Sequence, residues 1–359
     1  MQPIWALGCM TGTSMDGVDA ALIRTDGEEV YAYGPSLFRP FSIEEREVLA
    51  AAQGLWPGQS NALRAAEEVL HQAHVEVARQ LPGAEVIGFH GQTVAHDPSK
   101  ARTHQLGDAE RLAEATGLPV IHDFRSADMA AGGQGAPLAP IFHRAAAQSA
   151  GLSVPVVFLN IGGVGNVTWV DPTAPPEEMV AFDTGPGNAL IDDFMQQRTG
   201  ATKDTDGVAA AAGVAHTALI EDIGVEYVST SPPKSLDRHD FHHALERVAE
   251  LSTEDGAATL TALTIASVKA ATRYFPTPPM RWLVCGGGRH NPVLMTRLRA
   301  ALGALVDPVE AVGLDGDQLE AQAFGYLAVR HLRGLPNSFP KTTGCTAPVV
   351  GGRRANPQR

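Results

Sequence analysis

Three short apolar runs, each ending in a glycine turn, constrain this chain more than any other feature. They span residues 4–19, 156–168 and 282–291, and each reads as a buried strand that stops at glycines mixed with small hydroxyl or amide residues. Apolar runs of that length followed by glycine fit parallel or mixed sheets better than amphipathic helices. Helical spacing does occur elsewhere, at 43–51, 61–79, 109–117 and 255–274. Strands alternating with helices predict an α/β fold, with each glycine turn at a sheet edge. Asn61 and Asp108 are the expected N-caps of their helices, Gly117-Leu118-Pro119 is the expected stop after the third, and 209–212 the expected start of another.

At 359 residues the chain exceeds what one hydrophobic core usually supports, so two domains with a ligand cleft between them are expected. A hydrophobic share of 44% against 19% charged supports a packed core and argues against extensive disorder. With 27 basic and 40 acidic residues the net charge is −13, which repels a nucleic-acid backbone or an anionic membrane over most of the exterior and leaves room only for a local basic pocket. Cys9, Cys285 and Cys345 are widely spaced and odd in number, matching neither a disulfide framework nor a zinc site. No secretion signal opens the sequence, and no stretch approaches the roughly 20 apolar residues needed to cross a bilayer, so a cytoplasmic location is expected. The glycine-rich 130–140 segment is the expected domain crossing, and the end of 335–359 is expected to fray.

The first glycine segment reads Gly12-Thr13-Ser14-Met15-Asp16-Gly17-Val18-Asp19. Consecutive backbone N–H groups at a glycine turn form a concave anion site, and the Thr13 and Ser14 hydroxyls add donors of the kind a triphosphate needs. A tight hairpin turning at Asp16-Gly17 would produce the same string. No P-loop string and no complete dinucleotide fingerprint occurs, so nucleotide recognition requires another fold. Two further turns, from Asn160 to Thr168 and from Cys285 to Asn291, expose backbone as well. Their candidate ligand contacts are Asn160, Gly162 and Gly163 in the first and Gly286, Gly287, Gly288 and Asn291 in the second.

This set of turns resembles the actin, sugar kinase and heat-shock ATPase superfamily, in which two turns from different domains hold phosphates and a third holds the adenosine. Within it, Met10-Thr11-Gly12-Thr13-Ser14-Met15-Asp16-Gly17-Val18-Asp19, His90-Gly91-Gln92-Thr93, Asp123-Phe124-Arg125, Gly132-Gly133-Gln134-Gly135-Ala136-Pro137-Leu138 and Phe182-Asp183-Thr184-Gly185-Pro186-Gly187-Asn188 resemble the anhydro-N-acetylmuramic acid kinase family. The likeness runs from the first strand to about residue 350. It implies an α/β, two-domain actin-like ATPase (ribonuclease H-like) fold with a central active-site cleft. Residues 1–131 would form the first domain, 132–314 the second, and 315–359 a C-terminal helix and tail packing back at the cleft or on the first domain. It also implies ATP as co-substrate, Mg²⁺, and a homodimer. The implied reaction is hydrolytic opening of the 1,6-anhydro ring of 1,6-anhydro-N-acetylmuramic acid with phosphorylation of O6. The products would be N-acetylmuramic acid 6-phosphate and ADP, in peptidoglycan recycling.

The aspartate of the family's Asp-Thr-Gly-Pro-Gly-Asn motif, its base for the attacking water, maps onto Asp183; turn capping is the competing reading of such an aspartate. The resemblance places Asp183 and Glu320 near the metal, with Asp16 a further candidate, although Glu320 also reads as a first-turn carboxylate favoured by a helix dipole. Gln92 and Thr93 follow the apolar run 86–89 and offer donors and acceptors to a sugar, or else satisfy a turn. Arg125, after a strand at 120–123, suits the lactyl carboxylate of a muramic acid, with a surface salt bridge as the alternative. Residues 132–137 read as backbone approaching the cleft, or as a flexible loop between domains.

His90, His96, His104, His122 and the pair His242-His243 form no metal-binding pattern and read as structural or surface residues. After Ser231-Pro232-Pro233-Lys234-Ser235 the family usually continues Thr-Gly-Arg-Glu, whereas this chain has Leu236-Asp237-Arg238-His239. That departure leaves the loop's part in substrate or dimer contacts open, without touching the reading of Asp183. Two rival functions remain at this stage: a kinase for another anhydro-sugar such as levoglucosan, and a non-catalytic nucleotide-dependent sugar sensor.

Overall fold

The computed structural model describes residues 2–234, 236 and 240–358, with backbone only for 224–229. The chain divides into two compact units, Met1–Leu152 with Gln318–Arg359, and Ser153–Asp317. The first carries β1 (Ile4–Thr11), β2 (Gly17–Thr25), β3 (Val30–Pro40), β4 (Val86–Asp97), β5 (Arg102–Leu106) and β6 (Val120–His122). The second carries β7 (Val156–Ile161), β8 (Val164–Val170), β9 (Val180–Pro186), β10 (Arg281–Cys285) and β11 (Leu305–Pro308). The chain then returns to the first unit and ends on β12 (Arg353–Ala355).

The two sheets repeat one plan. In the first unit the strand order is β3-β2-β1-β4-β6, with β12 closing the β6 side; in the second it is β9-β8-β7-β10-β11. In each, the first three strands form an antiparallel meander, and the last two lie parallel to the first. This is the ribonuclease H-like order, present twice, as the actin-like reading requires. Because β1, β7 and β10 are flanked on both sides, their glycine turns sit at the carboxyl ends of interior strands. The expectation of turns at a sheet edge is corrected accordingly. Crevices outside the carboxyl ends of sheet strands are where open α/β sheets take ligands.

Helices form where the spacing placed them. Ile43–Ala50 starts with a capping box between Ser42 and Glu45. Asn61–Gln80 is capped by Ser60, whose hydroxyl accepts the Leu63 N–H, so the cap lies one residue before Asn61. Ala109–Thr116 takes Asp108 as its cap and ends on Gly117 at φ +71°. The expected helix at 255–274 runs Thr253–Ala271, capped by Ser252, and Val208–Ala212 forms a short helix. Leu63, Leu70 and Val77 of the second helix join Leu7, Val18, Ile87 and Phe89 in the core of the first unit. In the second unit Val157, Phe182, Val268, Trp282 and Val306 form the corresponding core.

The helix Leu319–Leu332 packs on β1, β2 and β4. Its approach needs glycine on the sheet: a Cβ at Gly8 would lie 1.7 Å from the Ala321 carbonyl oxygen, and one at Gly88 would lie 2.0 Å from that of Phe324. Helix Pro140–Ser149 packs on Leu319–Leu332 and on β3, and Ser149 Oγ lies 2.8 Å from Tyr33 Oη. For that reason residues 132–152 stay with the first unit, and the chain crosses after Leu152 where the sequence suggested 130–140.

Much of the 335–359 segment is held to the first unit. Arg353–Ala355 pairs antiparallel with β6, Ala355 enters the core, and Ser338 and Thr343 are buried against Asp128. Its polar residues bond to the protein interior, which ordinary tail composition conceals.

Replacing Gly88 by Ala is expected to cost about 3 kcal/mol or more of unfolding free energy in urea titration, because the clash is with helix backbone. Gly151→Ala, at φ +71° with nothing within 4 Å, serves as the control and is expected to cost roughly 1 kcal/mol.

Candidate active site

In the first unit the turn between β1 and β2 is short and closed by its own backbone. The Met15 N–H donates to the Gly12 carbonyl at 3.1 Å, with Met15 itself at φ +56°. Thr13, Ser14 and Asp16 are exposed there, while Gly17, Val18 and Asp19 already belong to β2, with Val18 fully buried. The ligand-accessible part of the string is therefore Gly12 to Asp16. Gln92 lies within β4, fully buried, and its Nε2 donates to the Gly12 carbonyl at 3.1 Å. Gln92 thus braces the turn from below, and its Oε1 has no partner among the described residues. Thr93 Oγ1 accepts from Gln105 Nε2 across to β5 at 3.1 Å.

Arg125 follows β6 after Asp123, which adopts φ +52° and takes Ser126 Oγ at 2.5 Å and Arg353 Nε at 3.0 Å. Among the described residues the Arg125 guanidinium bonds only to neutral acceptors: Gly135 O at 2.7 Å from Nη1, and His90 Nε2 at 2.9 Å from Nη2 and 3.3 Å from Nε. Burial pushes it down to about 10, opposed by the charges of Glu320 and Asp128, so it stays protonated at neutral pH. The loop expected to expose backbone near the site is instead tied down. Gly135 N–H donates to Asp128 Oδ2 at 2.7 Å, and Asp128 Oδ1 takes the Ser338 and Thr343 hydroxyls at 2.5 and 2.6 Å. Glu320, at the start of Leu319–Leu332, has an exposed side chain, yet the surrounding protein raises its pKa, with Arg125 opposing.

In the second unit the other turns interlock by backbone. Gly162 and Gly163 link β7 to β8, and their carbonyls accept the N–H groups of Asn188, at 2.7 Å, and Gly187, at 3.0 Å. A Cβ on Gly187 would meet Gly162 O at 2.3 Å; on Gly286, which has φ +71°, it would meet Asn160 Oδ1 at 2.2 Å. Asn160, Gly162, Gly163, Gly286, Gly287 and Gly288 thus lie around the carboxyl ends of β7 and β10. Asn291 instead caps helix Pro292–Leu302, accepting the Val293 and Leu294 N–H groups. The buried Arg289 side chain pins the third turn, bonding Gly286 O, Glu310 at 2.9 Å and Asp317 at 2.8 Å.

Asp183 stands on β9 opposite Asn166. Its N–H donates to the Lys234 carbonyl at 3.1 Å, and its Oδ2 accepts the Leu236 N–H at 2.8 Å. Burial pushes its carboxyl up to about 7, against the pull of Leu236 N–H and Lys234. Lys234 lies between the Phe182 and Tyr274 rings, 5.8 and 5.6 Å from their centroids, and burial pushes it down to about 8. The loop whose sequence departs from the family pattern therefore does reach Asp183. Ser235, Asp237, Arg238 and His239 lie outside the described residues. Among the described residues no cluster of three His, Cys, Asp or Glu could hold a metal.

A family model for anhydro-N-acetylmuramic acid kinase matches residues 4–355. The chain belongs to that family. Among curated relatives, the anhydro-N-acetylmuramic acid kinase of Cereibacter sphaeroides is 55% identical over 99% of this chain and 97% of its own. That of Rhodospirillum rubrum is 51% identical over 97% and 93%. The sequence reading missed His90, Asp128, Arg289 and the Leu236 amide. His90 sits inside a string quoted for the family, but nothing in the sequence couples it to Arg125.

A carboxylate with a raised folded-state pKa is held protonated by the native state between its unfolded value, near 4, and its folded value, so native stability falls as pH rises through that window. Asp183→Asn is therefore expected to melt higher than the parent at pH 8, by on the order of 2 kcal/mol, and to match it near pH 4 in thermal denaturation.

Proposed function

We propose that this chain uses ATP to open 1,6-anhydro-N-acetylmuramic acid and phosphorylate O6, with Asp183 as the base. The observation that carries the catalytic reading is a carboxyl on the strand that bears the family motif, held by the Leu236 backbone N–H and poised at about 7. Asp183 removes a proton from water as its oxygen bonds to the anomeric carbon. The bond from that carbon to O6 breaks, and O6 takes the γ-phosphoryl group, releasing ADP. Turns 12–16, 160–163 and 286–288 supply backbone N–H groups for the nucleotide.

Arg125 recognises the lactyl carboxylate in this reading. One N–H on each of its terminal nitrogens has no protein partner among the described residues, and a guanidinium with only neutral partners favours an anion. Asp183 and Glu320 each carry oxygen donors of the kind Mg²⁺ prefers, and with no three-residue cluster among the described residues the ion would be held mainly by phosphate and water. Bound there, it would neutralise charge on the phosphates. The reading includes a cytoplasmic homodimer; no described helix is long and apolar enough to cross a membrane.

Turnover in ¹⁸O-labelled water with Mg-ATP, followed by mass spectrometry, tests this directly. The expected product is N-acetylmuramic acid 6-phosphate carrying label on its anomeric hydroxyl, with kcat/KM rising towards a plateau above about pH 7 as Asp183 ionises. Asp183→Asn is expected to lower kcat by about 10³-fold and to abolish that pH dependence. Unlabelled product, or an unchanged Asn variant, would remove Asp183 from the role of base.

A further inference from the structure

The acceptor that holds Arg125 is an imidazole where a carboxylate would be the usual partner for a buried guanidinium. His90 Nδ1 lies 2.7 Å from the Gly91 carbonyl oxygen. A carbonyl can only accept, so Nδ1 carries the proton and Nε2 is left as a bare acceptor. That nitrogen faces the Nε and Nη2 donors of Arg125 together. His90 is 4% exposed, and its ring rests on Phe324 with centroids 4.6 Å apart, so the imidazole has little freedom to turn. From the other side the Gly135 carbonyl holds Nη1, and Gly135 is itself fixed through Asp128 to Ser338 and Thr343.

Both supports of the guanidinium are neutral. They fix its direction without cancelling its charge, whereas a carboxylate at residue 90 would hold it as firmly and leave nothing for an anionic ligand. We propose that His90 is a positioning residue for Arg125, its Nδ1-protonated imidazole aiming a guanidinium with no hydrogen-bonded carboxylate among the described residues at the carboxylate of the sugar substrate. The inference rests on the reading of Arg125 given under Proposed function. It assigns the first residue of the His90-Gly91-Gln92-Thr93 string a part in selecting an acidic sugar. Gln92, two residues on, serves the neighbouring turn.

The test compares 1,6-anhydro-N-acetylmuramic acid with the same anhydro-sugar lacking the lactyl ether, measuring KM and kcat, or Ki where the second sugar is not turned over. His90→Phe removes the acceptor and keeps a ring; His90→Gln restores an acceptor near the position of Nε2. With His90→Phe, KM for the acidic sugar is expected to rise about tenfold or more, while kcat and the constant for the neutral sugar change less than about threefold. His90→Gln is expected to recover most of the loss. His90→Phe added to Arg125→Ala should cost nothing further, because the two act as one unit.

If Arg125→Ala weakens the acidic sugar selectively but His90→Phe affects both sugars equally or neither, the positioning role is overturned and the reading of Arg125 stands. If Arg125→Ala affects both sugars alike, both fall. Should His90→Phe not fold, the unaltered protein gives the answer. Long-range ¹H–¹⁵N spectra are expected to show the His90 proton on Nδ1 at neutral pH, and a proton on Nε2 would overturn the proposal.

Discussion

The contact on which the first unit depends is backbone against backbone: the helix Leu319–Leu332 lies so close to β1 and β4 that no side chain fits at Gly8 or Gly88. Close approach of this kind removes Cβ volume on the sheet and lets the helix dipole and its first turn lie near the strand ends. It also decides the chain's route. A segment more than 300 residues from β1 completes the same core, so the unit cannot be assembled from its N-terminal part alone. Glu320 reaches its place as the first turn of that helix, carried by packing that has nothing to do with charge.

The second unit applies the same economy of side chains to a different end. Gly187 on Gly162, Gly286 on Asn160 and Gly288 on Ile161 are contacts in which a Cβ would collide, so these glycines let three chain segments converge on the ends of β7 and β10. Convergence brings backbone peptide groups of these segments together there. Peptide N–H groups give a phosphate fixed partial charge with little reorganisation, in keeping with phosphoryl transfer as positioning more than covalent work. Arg289 supplies the stiffness, neutralised inside its own unit by Glu310 and Asp317 and therefore ill suited to serve as a ligand.

Much of this was legible in the sequence because the signals are local. Apolar runs ending in glycine marked β1, β7 and β10, and helical spacing with nearby Ser or Asp marked the helices, missing the cap at Ser60 by one residue. What stayed hidden depends on contacts distant in sequence. The glycine-rich 130–140 segment looks like a crossing by composition, yet Asp128, Gly135, Ser338 and Thr343 bind it into the first unit. The tail looks disordered for the same reason: its polar residues read as solvent-facing until their buried partner is known. His90 was legible as part of a family string, but its meaning required knowing that Arg125 lies against it.

Two charged groups, one in each unit, share one property. Arg125 is a cation hydrogen-bonded to neutral acceptors and pushed down by burial, and Asp183 is a carboxyl pushed up by burial, with the Leu236 N–H on its Oδ2. Desolvation works against the charged form of both. Contrast Arg289, whose buried side chain is paired with Glu310 and Asp317 and whose work is structural. A guanidinium paired with two carboxylates is spent on the fold, whereas one hydrogen-bonded only to neutral groups among the described residues keeps the capacity to pair with an anion.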